Sequence, residues 1–203
     1  LTLDGTLNVT DIGGFGQGVY SLIDYAGTLT DNGLTLGSTP PTAGELVVQT
    51  AVANQVNLVV TGDSNVLFWD GAQTTANGAI DGGSGVWTAA SSNWTDANGT
   101  LNTPWNGSFA VFQGTAGNVQ VSGTQAVTGL QFVTDGYNIG GSGQLQLANN
   151  DNGTATFRAA PSASATLDAT LSGSGGRNKV DTGTPGLNAA HRHTGGRRPT
   201  GGP

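Results

Sequence analysis

The 203-residue chain has no cysteine and no methionine, and only 9% of its residues are charged. Without cysteine there is neither a disulfide framework nor a thiolate metal site, which suits a chain that crosses an oxidising periplasm unfolded. Without an initiating methionine the chain is expected to be a fragment. Its first residues carry no charged n-region and no apolar h-region, so any signal peptide is expected upstream of Leu1. No apolar run approaches the ~18 residues of a transmembrane helix. Positive charge is nearly missing from residues 1–176, which hold twelve acids and one base, Arg158, for a net −11. Residues 177–203 hold Arg177, Lys179, Arg192, Arg197 and Arg198 against Asp181, for +4, and the two parts give the overall −7. An acidic body lacks the basic surface that displaces counterions, so nucleic acid is excluded as a partner.

Glycine, at 35 residues, is abundant, and Thr, Asn, Ser and Gln supply most of the polarity. Gly, Thr, Asn and Asp are poor helix formers, whereas short strands joined by Gly/Asn/Asp turns tolerate them. Leu1, Leu3, Leu7 and Val9 share one parity, which predicts a strand with one buried face. Further strands are predicted at Val19–Tyr25, Leu34–Leu36, Leu46–Gln49 and Val56–Val60, with a glycine-rich turn over residues 12–18. All four tryptophans, Trp69, Trp87, Trp94 and Trp105, fall in the block Val66–Leu147. From Phe109 onward strands recur about every 10–15 residues, and Ala165, Leu167, Ala169 and Leu171 alternate strictly. This rhythm fits a β-solenoid, in which each coil of about 20–25 residues supplies two or three short strands. A β-sandwich shares the short strands, and periodicity alone does not separate the two.

The residues that could carry chemistry are sparse. Gly62-Asp63-Ser64-Asn65 has the form of a serine-esterase nucleophile block, but a serine nucleophile needs a positioned base. The two histidines, His191 and His193, lie far off in the basic tail, so a polar turn is the better reading. Polysaccharide lyases and glycosidases need clustered carboxylates with a cation nearby, and Arg158 stands alone among scattered aspartates. Asp81-Gly-Gly-Ser-Gly85 and Asn149-Asn-Asp-Asn-Gly153 offer oxygen ligands, but neither repeats at the nine-residue period of calcium-binding rolls. No cofactor or metal is implied. The candidate ligand contacts are Trp87, Trp94 and Trp105, as a carbohydrate-stacking platform; packing is the plainer explanation.

The order Phe68-Trp69-Asp70-Gly71, Gly85-Val-Trp87, Asn93-Trp94, Trp105, Ala110-Val-Phe-Gln-Gly114, Val119-Gln-Val121, Gly129-Leu-Gln-Phe132, Gly136-Tyr137 and Leu145-Gln-Leu147 resembles the passenger region of bacterial autotransporters (type V secretion). Leu1–Val9, Gly18–Tyr25 and Val52–Leu58 are similar to segments of the same proteins. Residues 176–184 and 194–196 resemble the autotransporter-associated β-strand repeat. They depart from it at Arg177, Pro185-Gly186, His193 and Arg197-Arg198-Pro199, where apolar, strand-forming or tyrosine residues are usual. The resemblance implies a right-handed parallel β-helix, exported and displayed at the cell surface by a C-terminal outer-membrane β-barrel outside this chain.

The expected fold is therefore all-β. It is a right-handed parallel β-helix (solenoid) fragment with rungs over 1–64, a loop-rich tryptophan-containing insertion over 65–108, rungs again over 109–176, and a disordered C-terminal tail over 177–203. Proline lacks a ladder N–H, and arginine is costly on a buried face, hence the tail expectation. The expected role is structural or adhesive and non-catalytic, with a host-cell or neighbouring-cell surface as partner. A β-helical polysaccharide-active enzyme and a carbohydrate-binding module are the alternatives.

Overall fold

The computed structural model describes residues 1–41, 43–62, 65–148, 154–189 and 194–199. These residues are strands, turns and irregular connections, with no helix among them. The N-terminal alternation becomes β1 (Thr2–Leu7), β2 (Gly18–Asp24), β3 (Thr30–Leu36), β4 (Leu46–Gln49) and β5 (Gln55–Val60). β1 and β3 pair in parallel, Thr2 opposite Thr30 and Leu7 opposite Leu36. β2, β5 and β4 form a separate antiparallel sheet in which Val59 of β5 lies opposite both Val19 and Val47. This antiparallel pairing differs from the parallel rungs expected across residues 1–64. Connection length accounts for the β4–β5 pair. A short turn with Asn54 at φ 65 reverses the chain between β4 and β5, whereas a parallel crossover needs a dozen residues or more.

β5 is the middle strand of its sheet and is buried on both faces. Leu58 and Val60 point into one apolar cluster with Ala43, Leu7, Val9 and Leu36. Val59 points the other way, into a cluster with Val19, Val52, Phe68, Phe109 and Val111.

The chain then continues through β6 (Val66–Trp69) and β7 (Gly85–Trp87), followed by two short strands, β8 (Trp94–Thr95) and β9 (Asn102–Thr103). After these, strands come in triplets: β10 (Phe109–Phe112), β11 (Asn118–Val121) and β12 (Thr124–Val127); β13 (Gly129–Phe132), β14 (Tyr137–Gly140) and β15 (Gln144–Leu147); β16 (Thr154–Ala159), β17 (Ser164–Leu167) and β18 (Thr170–Ser172). β19 (Gly176–Val180), β20 (Thr184–Leu187) and β21 (Arg197–Pro199) complete the order. Each strand of a triplet pairs in parallel with its counterpart in the next, giving the rows β6-β10-β13-β16-β19-β21, β7-β11-β14-β17-β20 and β12-β15-β18. The register steps by about 20–28 residues, from Phe109 to Gly129 and from Tyr137 to Ala165.

In-register stacking places like on like. Ala110, Leu130 and Phe157 form one inward ladder, and Val119, Ile139, Leu167 and Leu187 another. These side chains share a single buried cluster, and each fully buried large apolar side chain contributes about 1.5–3 kcal/mol. Close approach at the corners requires glycine. Gly82 has φ +67, and a Cβ there would collide with the Gln113 and Thr115 carbonyls and the Tyr137 hydroxyl.

The tail expected to be disordered over 177–203 carries paired strands in its described part. Pro185 is accommodated because, among the described residues, β20 is an edge strand bonded on one side, to β17. Arg177 is nearly buried, and its guanidinium lies 5.9 Å from the centroid of the Phe157 ring, a cation–π contact that offsets part of the burial cost.

Candidate functional site

The four tryptophans sit at the beginning of the triplet stack, where its interior would otherwise be open. Strand parity turns Leu67 and Trp69 inward while Val66 and Phe68 face out. β8 pairs antiparallel along the free edge of β6, Trp69 opposite Trp94, and β9 adds to β8. This hairpin covers an edge that would otherwise template foreign strands. Trp69, Trp87 and Trp94 are fully buried, and Trp105 is 7% exposed. Ring centroids are 4.8 Å apart for Trp87 and Trp94, 4.3 Å for Trp94 and Trp105, and 5.2 Å for Trp69 and Trp94, most of them edge to face. Trp69 Nε1 donates to the Gly83 carbonyl at 2.8 Å, and Trp105 Nε1 to the Ala126 carbonyl at 2.7 Å.

A carbohydrate platform needs an exposed ring face. The contact expected at Trp87, Trp94 and Trp105 is therefore absent from the surface, because the rings are consumed in closing the end of the stack. Beside them, Asp70 is 1% exposed. Its Oδ1 accepts the Asp81 backbone N–H and its Oδ2 the Asn102 amide, each at 2.9 Å. Burial pushes its carboxyl above the ordinary 3.8, with nearby Asp81 adding to the effect, against the pull of those hydrogen bonds. The Tyr137 hydroxyl lies 2.7 Å from both the Gln113 and Thr115 carbonyls, and burial raises its pKa well beyond the usual phenol range.

A second polar assembly lies on the outside of the stack. Val111, Gln131 and Arg158 occupy one outward ladder across β10, β13 and β16. Val111 is covered by the antiparallel sheet. Gln131 reaches the edge of β2, where the Val19 N–H donates to its Oε1 at 2.7 Å and its Nε2 donates to the Val19 carbonyl at 2.8 Å. Arg158 is 4% exposed. Its Nε and Nη2 donate to the two Asp181 oxygens at 2.9 and 3.0 Å, and its Nη1 to the Gln17 carbonyl at 2.9 Å and the Tyr20 hydroxyl at 2.8 Å. Burial works against the charge, but the bonds from Asp181 and Tyr20 outweigh it and hold the pKa above the ordinary value. In the sequence Arg158 figures as the lone cation of an acidic body, too isolated for lyase chemistry. The signal that marks it is its solitude, as the one base among 176 residues.

The remaining candidates come to little. Among the described residues no group of three or more His, Cys, Asp and Glu side chains could hold a metal ion. Asp81 accepts the Asn77 amide at 2.7 Å within its own loop. Asp63, Ser64, His191, Arg192, His193 and the Asn149–Gly153 segment lie outside the described residues. A trough of about 460 Å³ crosses Thr124, Gln144 and Thr170, and clefts of about 300 and 330 Å³ flank Arg158.

Taken together, fold and site define an all-β assembly in which the most buried aromatic and polar groups join strands. The chain is 42% identical, over an alignment of 217 positions that takes in the whole chain, to the adhesin BmaC autotransporter of Brucella suis biovar 1 (strain 1330). It is thus an autotransporter-related region, and it spans 6% of that relative's length. The relationship supports a cell-surface or outer-membrane-attached location in a Gram-negative bacterium. No protein-family model matches the chain, and no solved structure matches it significantly.

Proposed function

We propose that the chain is a segment of a surface-displayed autotransporter passenger, a right-handed parallel β-helix whose role is structural or adhesive and not catalytic. Whole-chain identity to an adhesin autotransporter is the observation that carries this reading. Three rows of parallel strands in one-coil register support the β-helix, and parallel crossovers are right-handed almost without exception. Residues 65–108 then form the closed beginning of a run of rungs, and the strands after Gly176 are diverged autotransporter-associated repeats. Export and display fall to a C-terminal outer-membrane β-barrel elsewhere in the full-length protein, since closed barrels span that membrane. The partner is the surface of a host or neighbouring cell, met by exposed loops and polar ladders of a stiff rod.

The test uses cells expressing the full-length protein with and without this segment. Intact cells should show it to a membrane-impermeant label, and deletion should reduce attachment to host cells or to each other. A segment shielded from the label, or cleavage of a polysaccharide panel by the purified chain, would overturn the reading.

A further inference from the structure

β2 is an edge strand, yet its outer side is not left to solvent. Gln131 brackets Val19 with the same pair of bonds that a neighbouring strand would supply. One ladder step further, Arg158 holds the chain just before β2 by the Gln17 carbonyl, with the Gly16 carbonyl at 3.3 Å. The guanidinium also lies 4.6 Å from the centroid of the Tyr20 ring, which in turn stacks on Phe15 at 5.1 Å. On the stack side the arginine is fixed by both oxygens of Asp181, which follows β19. The bonds of Gln131 and of Arg158 to residues 16–20 join one body to the other across more than a hundred residues of sequence, and Asp181 braces the arginine that makes them. Clefts of about 300 and 330 Å³ on either side leave the segment thinly packed there. Val19 adds apolar contact beneath the polar bonds, in the cluster with Val59, Phe68, Phe109 and Val111, while residues 16, 17 and 20 reach the stack through those bonds.

We propose that residues 16–24 form a strap that Arg158 locks onto the outside of the coil stack. The strap holds the antiparallel sheet, and the β1–β3 layer on its far face, at one fixed angle to the stack. The chain is then a rigid elbow between two parallel layers, with the arginine as its lock. A planar fork with five donors suits this task, because it bonds a carboxylate on one side and two carbonyls and a hydroxyl on the other. Lysine has the charge but not the fork.

Hydrogen exchange with mass spectrometry on the whole chain tests the lock, comparing wild type with R158A, R158K and D181N. Residues 16–24 should exchange roughly tenfold faster in both Arg158 variants, while residues 129–147 in the stack keep the wild-type rate. D181N, which leaves the arginine and its carbonyl contacts in place, should show a smaller acceleration at the same residues. It carries the test if the Arg158 variants do not fold. Unchanged exchange of residues 16–24 in folded variants would overturn the strap. So would equal acceleration of 16–24 and 129–147, which would make Arg158 an ordinary stabilising residue of the whole chain.

Discussion

Gln131 and Val19 exchange two hydrogen bonds, 2.7 and 2.8 Å long, across 112 residues of sequence. A side-chain amide thereby completes the ladder of an edge strand. In Gln131→Leu the Val19 N–H and carbonyl stay buried without partners, at about 1–3 kcal/mol for each group left unpaired. A urea titration should show the midpoint falling with the slope unchanged, since the surface exposed on unfolding is the same.

The tryptophan cluster predicts a different signature. Trp94 touches Trp69, Trp87 and Trp105, so Trp94→Ala should cost about 3–5 kcal/mol, the range for removing a large buried aromatic. In the wild-type chain acrylamide should quench tryptophan emission weakly, and glycan titration should leave it unchanged. Strong quenching by glycans would return the rings to the surface as ligand contacts.

Gly82 is the sharpest backbone test. With φ +67 and three oxygen atoms crowding the position of a Cβ, Gly82→Ala should lose about 1–2 kcal/mol from the left-handed conformation, and more from the collision. Gly78, with φ +78 and open space around it, should lose only the first part on the same substitution. The difference between the two melting temperatures isolates the clash.

Asp70 makes stability depend on pH in the unusual direction for an acid. Its folded pKa is raised above the ordinary 3.8, so the folded state holds the proton more tightly than the unfolded one. Its contribution is most favourable below the ordinary value, falls as pH rises through the window up to the raised value, and is constant beyond. Asp70→Asn should remove that fall. Asn102 Oδ1 is buried and has no partner among the described residues, so a turned Asn102 amide can accept from the new one. Urea midpoints of variant and wild type should converge at acid pH and separate in favour of the variant toward neutrality.

Strand positions were largely legible from sequence. Alternation at Leu1–Val9 and Ala165–Leu171, and the apolar runs Val56–Val60 and Phe109–Phe112, mark strands that the structure contains at nearly those places. Partners were not legible, because alternation reports a face and not a neighbour. Val19–Tyr25 reads equally well as a rung or as the edge of an antiparallel sheet, and only its antiparallel register against β5 separates them. The tryptophans drew attention as rare, large and clustered, properties shared by ligand platforms and end caps; only burial separates these. Arg158 was visible as a lone charge, but its guanidinium finds its partners from residues 16, 17, 20 and 181, a convergence no local pattern encodes.

Strands one coil apart lie side by side in parallel. The chain has no native cysteine, so a pair can be introduced on a clean background. Val86 and Gln120 are exposed, directly opposed residues of β7 and β11, and neighbouring strands are about 4.8 Å apart, within the Cα range of a disulfide. Under mild oxidation the double variant V86C/Q120C should form an intramolecular disulfide in high yield, and V86C/Q146C, with its second position on β15 in a different row, should not. Failure of the first pair to close, or equal closure of both, would contradict the stacked-coil account.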